Sequence, residues 1–256
     1  MKEFLDISDL LGMPDPASAH APQIDFMMAL VHWLMLLLFV GWGAYYVYVL
    51  IRFRRSKNPV ASYEGTRGKY STVQESGVIL AEALLLVVFA FPIWGFLKNE
   101  FPPVEDSVQV HVVAEQFAWN FHYPGDDGVF GRRDINLIDL STNPLGLDLE
   151  DPAAEDDIVT VNEFHLPVNR TIIVTLTSKD VIHSFALPHM RVKQDAIPGL
   201  EIPIWFRPLK TGDFELSCAQ LCGLSHYRMR AHLTVHTQEE YDVWRQEALE
   251  EQKEFM

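Results

Sequence analysis

The sequence predicts a two-helix transmembrane hairpin followed by an all-β sandwich. Three observations carry that expectation. Two long apolar stretches lie within the first hundred residues. A basic loop separates them. Residues 101–256 then break into short runs of alternating β-branched and aromatic residues bounded by turn formers.

Residues 1–25, "MKEFLDISDLLGMPDPASAHAPQID", read as an outer N-terminal tail, because no apolar core of a secretory signal is present. "ASAHA" resembles a small-residue cleavage site, so processing near Ala21 is the alternative. Residues 26–100 form the hairpin. Its first span, Phe26 to Ile51, has no formally charged residue unless His32 is protonated. As a helix it reaches roughly 39 Å at about 1.5 Å per residue, enough to cross a bilayer. The second span, Val78 to Leu97, contains one acid, Glu82. In the loop at 52–74, Arg52, Arg54, Arg55, Lys57, Arg67 and Lys69 outnumber Glu64 and the neighbouring Glu75. Positive charge marks the cytoplasmic or matrix side, so both termini face outwards. Trp33, Trp42, Tyr45, Tyr46, Tyr48 and Trp94 are candidate interfacial anchors.

Residues 101–256 form the outer domain. From Glu105 to Met256 there are 26 acids and 12 bases, so this part carries most of the formal charge of −15. Such a surface repels nucleic acid and steers a basic protein towards it. "SVQVHVVAEQFAWNFHY" and "RTIIVTLTSK" alternate at period two, with "EIPIWFRP" and "DFELSC" as shorter strands. In "MRAHLTVHT", Met229, Ala231, Leu233 and Val235 share one face. Gly125 to Asp157 is an insertion rich in Gly, Asp, Asn and Pro. Tyr241, Trp244 and Leu249 have the spacing of a surface-packed C-terminal helix. Short strands separated by turn signals point to an antiparallel sandwich.

The chemistry concentrates in "SCAQLCGLSHYRMRAHLTV", Ser217 to Val235, which holds both cysteines. An outer location permits a Cys218–Cys222 disulfide. Zinc would favour four Cys and His ligands and has little use for a thioether. Two thiolates, an imidazole and a thioether together suit copper. A mononuclear blue-copper site needs one thiolate and two imidazoles, whereas two thiolates four residues apart could bridge a metal pair. A second imidazole must then come from elsewhere. His183 is the leading candidate, with His165, His189 and His232 as competitors.

Cys218-x3-Cys222-x3-His226-x2-Met229, preceded by "VIHSFALP" and "VKQDAIPG", resembles subunit II of the haem–copper cytochrome c oxidases. The match runs from the hairpin to about Val235. The resemblance implies a cupredoxin-like Greek-key sandwich holding a binuclear copper centre, CuA. Carried over, Cys218 and Cys222 bridge two copper ions, and His183 and His226 cap one each. Met229 supplies a thioether to one metal, and the main-chain carbonyl of Gln220 is the weak ligand on the other. Asp180 and Asp195, near the His183 motif, are candidates to orient ligands or to contact another subunit.

Three positions depart from the family or need care. The family commonly has Glu where Gln220 stands, so a carboxylate for magnesium is lost and magnesium is left unassigned. Its Gln-Trp-Tyr-Trp stretch appears as "QFAW", which puts Phe117 at the usual electron-entry position and leaves Trp119 as packing beneath the copper loop. Glu75 aligns with an acid at the mouth of a proton path, and Glu82 is a second proton-path candidate. No C-x-x-C-H occurs, so no covalent c-type haem is expected in this chain.

The resemblance implies an electron relay from a c-type cytochrome, in some cases a permanently associated one, to haem in catalytic subunit I. Oxygen reduction and proton pumping belong to that partner, other oxidase subunits complete the complex, and the location is a bacterial inner membrane. A membrane-tethered copper carrier is the rival in the binding class. A quinol-oxidising relative is disfavoured by the paired cysteines, and a nitrous oxide reductase by the hairpin.

Overall fold

The computed structural model describes residues 7–61, 63 and 68–255. Met1–Asp6 of the tail and Glu64 and Arg67 of the basic loop lie outside the described residues. The chain divides into two compact units, Met1–Met13 with Gln23–Phe96, and Pro14–Pro22 with Leu97–Met256.

The first unit holds two long helices, α1 (Ala21–Arg52) and α2 (Lys69–Asn99). Apolar side chains point outwards around both, including Leu37, Phe39, Val40, Leu80, Val87 and Phe91. A helix that is apolar all round has no aqueous face, which is what a lipid environment requires. Both helices extend beyond the apolar cores read from sequence, because polar residues at their ends continue the backbone ladder. Pro92 has no N–H for the Val88 carbonyl, and the helix widens into a π-turn over Leu85–Ala90, with the N–H of Phe91 reaching back to Leu86.

The second unit is a sandwich of ten strands. One sheet runs β3 (Ile158–Val161), β2 (Ala118–Tyr123), β1 (Ser107–Glu115), β5 (Thr171–Ser178), β8 (Ile202–Phe206). The other runs β4 (Glu163–Pro167), β10 (Arg230–His236), β9 (Gly212–Cys218), β6 (His183–Leu187), β7 (Val192–Ala196). Most neighbours are antiparallel, as alternation predicts. Two pairs are parallel, β1 with β5 (Val110 opposite Val174) and β4 with β10 (Phe164 opposite Leu233). Parallel pairing of this kind needs a long crossover, which no local pattern encodes.

Inward residues keep period two: Val110, Val112 and Ala114 on β1, Ile172, Val174 and Leu176 on β5, Ala231, Leu233 and Val235 on β10. Large rings fill the space between the sheets. Phe121 stacks on Phe164 with centroids 4.5 Å apart, Phe164 meets Phe185 at 6.0 Å, and Phe185 meets Trp119 at 5.9 Å. The ladder ends under His183, whose ring is 6.1 Å from Trp119.

Two irregular segments are tied to this frame. Part of the N-terminal tail is stitched into it: the N–H of Ala17 donates to His189 O, its carbonyl accepts from Leu209 N, and Ser18 Oγ donates to Met190 O. The insertion is anchored by Asp157, fully buried, which binds His122 Nε2 at 2.6 Å and the N–H groups of Gly125 (3.2 Å) and Gly131 (2.7 Å). The C-terminal helix α3 (Gln238–Phe255) begins with a capping box, Thr237 and Glu240 exchanging hydrogen bonds. It packs Tyr241 and Trp244 inwards, Trp244 stacking 4.4 Å from His165.

Candidate metal centre

Four segments meet at one end of the sandwich: the β1–β2 turn, the β5–β6 corner, the loop after β9 and the start of β10. Cys218 closes β9, so its position is set by the sheet, and its N–H donates to Met229 O at 3.1 Å. The loop leaving it is fastened by Ala219 N to Ser184 O at 2.9 Å. Cys222 follows, buried, and His226 opens a short turn ending in buried Met229, just before β10 begins at Arg230. His183 is the first residue of β6, a strand whose continuous burial hides it from a period-two reading.

The sulfurs of Cys218 and Cys222 are 3.9 Å apart, and both cysteines are free thiols. That is far beyond a disulfide bond of about 2.05 Å. It is close enough for an ion about 2.3 Å from each thiolate to be shared between them. His183 Nδ1 lies 3.8 Å from the Cys218 sulfur and 3.2 Å from Met229 Sδ. His226 Nδ1 lies 3.5 Å from the Cys222 sulfur, and Met229 Sδ lies 3.6 Å from it. The Gln220 carbonyl is 3.1 Å from the Cys218 sulfur. His183, Cys218 and Cys222 form a buried cluster with donor atoms within 4.8 Å of one another. Four further donors therefore surround the sulfur pair, with the imidazoles facing different cysteines. The soft sulfur-rich set suits copper rather than magnesium or calcium.

Electrostatics prepare the same pattern. Burial opposes ionisation of Cys218, but His183, the main chain at Ser184 and Gln220, and His226 outweigh it, and the thiol falls to about 6. Cys222 is pushed up to about 11 by burial and by the adjacent Cys218 sulfur. The pair thus gives up its first proton readily and its second with difficulty, a property of the two together. A bound metal ion would supply the positive charge that displaces that second proton.

Asp180 Oδ1 accepts from His183 Nε2 at 2.9 Å, which turns the Nδ1 lone pair towards the sulfurs. Burial lowers the His183 pKa, yet the bonds to Cys218 and Asp180 outweigh it and the net shift is upward. Burial raises Asp180, and His183 with the N–H groups of Gln116 and Val181 brings it below the usual range.

Other candidates fall elsewhere. Trp119 is fully buried beneath His183, and Phe117 is half-buried in the turn above. Gln220 is exposed and offers no carboxylate. Asp195 sits on β7 opposite Ser184, and no hydrogen bond joins it to the site among the described residues. His165 pairs with His236 at 2.9 Å beneath α3, His189 bonds Asp15 O, and His232 is exposed on β10, so none of the three competes with His183. Glu75 and Glu82, seven residues apart on α2, share one helix face and are both exposed. The residue that sequence reasoning passed over is Gln116, whose side chain donates to Cys222 O. The aromatic stretch around it drew attention to its neighbours instead.

The family model for the periplasmic domain of cytochrome c oxidase subunit II matches residues 108–235. The chain is 33% identical over 242 residues to an alternative cytochrome c oxidase subunit 2 of Bradyrhizobium diazoefficiens, covering 94% of this chain and 84% of the relative. It is 29% identical over 263 aligned positions to cytochrome c oxidase subunit 2 of Cereibacter sphaeroides, covering 94% and 83%. A crystal structure of the periplasmic domain of cytochrome oxidase subunit II from Bradyrhizobium japonicum matches 61% of this chain and all of that one, at 32% identity and a TM-score of 0.44.

Proposed function

This chain belongs to the cytochrome c oxidase subunit II family, and we propose that it relays electrons from a c-type cytochrome to haem in catalytic subunit I. It is one subunit of an oxidoreductase complex and a membrane protein with a periplasmic domain. The family domain implies a CuA copper cofactor, and the donor set fits it.

The ligand assignment we propose follows the distances. Cys218 and Cys222 would be the thiolates shared by two copper ions, His183 with Met229 would hold one, and His226 with the Gln220 carbonyl would hold the other. When bound, the copper pair supplies a one-electron site whose spin is shared through both sulfurs. The protein's task is to keep that site from rearranging. Asp180 holds the His183 ring, β9 and β10 fix Cys218 and Met229, and Trp119 excludes water below. Rigid support of this kind limits the geometric change that accompanies gain or loss of an electron.

Hydropathy, charge and the family resemblance support the remaining parts of the proposal. Residues 26–100 form the hairpin with loop 52–74 on the cytoplasmic side, residues 101–256 form the copper domain, and both termini face the periplasm of a bacterial inner membrane. The acidic domain favours a basic donor, free or permanently associated, with Phe117 at the entry point. Magnesium has no carboxylate at Gln220. Subunit I carries oxygen reduction and proton pumping, with Glu75 and Glu82 facing a proton path.

The observation that carries the proposal is the 3.9 Å sulfur pair with one imidazole near each cysteine. In the assembled oxidase, Cys218→Ser should slow haem reduction by reduced cytochrome c at least about 100-fold in stopped flow, a loss of roughly 2.7 kcal/mol of barrier lowering. Haem reduction at the wild-type rate in that variant would overturn the relay.

A further inference from the structure

The turn between β1 and β2 has a component that neither the electron-entry role nor the ligand set uses. Two bonds diverge from Gln116. Its main-chain N–H donates to Asp180 Oδ2 at 2.7 Å, and its side-chain Nε2 donates to the carbonyl of Cys222 at 2.5 Å. Asp180 in turn holds His183 through its other oxygen. One residue therefore touches the support of an imidazole on β6 and the backbone of a thiol in the β9–β10 loop.

The loop is shaped to receive this contact. Gly223, next to Cys222, has φ +141°, a region that side chains rarely adopt. A Cβ there would lie 2.7 Å from Gln116 Nε2 and 3.0 Å from Phe117 Cζ. The absent side chain is what lets the β1–β2 turn close onto the loop. Phe117 packs over the same glycine, so the amide bond is flanked by an aromatic ring.

We propose that Gln116 is a positioning residue, a strut that fixes the Cys222 backbone relative to His183 before any metal arrives. The strut is a property of the chain alone, and its consequence for copper retention rests on the copper reading above. If Gln116 were an ordinary turn residue, losing its amide would change nothing at the cysteines.

The test uses the full-length protein in detergent with two variants. Gln116→Met keeps the volume and loses the donor, and Gln116→Glu keeps the shape and sets an acceptor against the Cys222 carbonyl. In metal-free protein, iodoacetamide labelling of Cys222, read by tandem mass spectrometry, should be about 5-fold faster in both, matching loss of one ordinary hydrogen bond. A new negative charge alone would slow thiolate attack, so faster labelling of the Glu variant reports loop release and not charge. The thermal midpoint should fall by no more than a few degrees in Gln116→Met, the share of one hydrogen bond, so the protein stays folded during labelling. Copper loss from the loaded protein to a chelator should also be about 5-fold faster. Wild-type labelling rates in Gln116→Met would overturn the strut, and unchanged copper loss would overturn its service to the metal. Faster labelling in a protein that never takes up copper would remove the copper reading and leave the strut standing.

Discussion

Asp157→Ala isolates the anchor of the insertion. The carboxylate is fully buried and accepts from three donors, His122 Nε2 and the N–H groups of Gly125 and Gly131. Removing it leaves buried donors without a partner, each costing about 1–3 kcal/mol. With three such donors the loss is at least about 3 kcal/mol. Asn at this position keeps one acceptor oxygen, and its amide can face His122 if the ring changes tautomer, so Asp157→Asn should cost about half as much. The loss falls on the insertion and not on the sheets, because no core strand depends on Asp157 for its ladder. Hydrogen exchange by mass spectrometry over residues 125–133 should therefore accelerate at least about 100-fold in Asp157→Ala, while β5 and β10 keep their protection. The insertion also reaches the metal end, where Lys179 Nζ donates to Pro144 O at 2.6 Å and to Glu115 at 2.8 Å. Lys179 neighbours Asp180, so a modest loosening at Asp180 should follow. Wild-type exchange at Gly131 in Asp157→Ala would refute the reasoning.

Three other outcomes follow from the same structure. His20, His111 and His165 are each pulled down to about 4, chiefly by burial, from the ordinary 6.5. Their folded forms bind fewer protons than the unfolded chain, so the stability they lend is complete above pH 6.5 and drains away as the pH falls towards 4. The urea midpoint of the β-sandwich unit, followed in the full-length protein, should drop steadily between pH 7 and pH 5, and a flat profile would contradict the burial argument. Gly223→Ala should lower copper content at equal expression, because the added Cβ collides with the β1–β2 turn at an unfavourable φ; full copper occupancy would show that the close approach is dispensable. Glu82→Gln should slow proton uptake by the assembled oxidase, and unaltered uptake and assembly would exclude a role for that charge.

Much of this architecture was legible in the sequence for identifiable reasons. The two spans announce themselves through length and lack of charge, and β5 and β10 through clean alternation of Ile172, Val174, Leu176 and Ala231, Leu233, Val235. The cysteine loop was legible because the candidate ligands it contributes sit within twelve residues, Cys218 to Met229. Long-range partners were not. The run from Ser107 to Tyr123 reads as one alternating stretch, yet it folds back at Gln116–Phe117 without a Gly or Pro to mark the turn. The β1–β5 and β4–β10 pairs are parallel because of how the chain crosses between sheets, which alternation does not record. The buried tail around Ala17 and Ser18 has no periodicity, since its contacts are backbone bonds to loops far away in sequence. Gln116 and Asp157 are ordinary polar residues in sequence and gain their meaning from partners 106 and 35 or fewer positions away.

The central claim is that Cys218 and Cys222 are bridging thiolates of a two-copper centre. Electron paramagnetic resonance of the purified full-length protein, taken with its copper content, tests it most directly. Bridging thiolates give two coppers per chain and a hyperfine pattern from one spin shared by two equivalent nuclei, lost in Cys222→Ser. One copper per chain with a single-nucleus pattern, or a Cys218–Cys222 disulfide in the active protein, would contradict it.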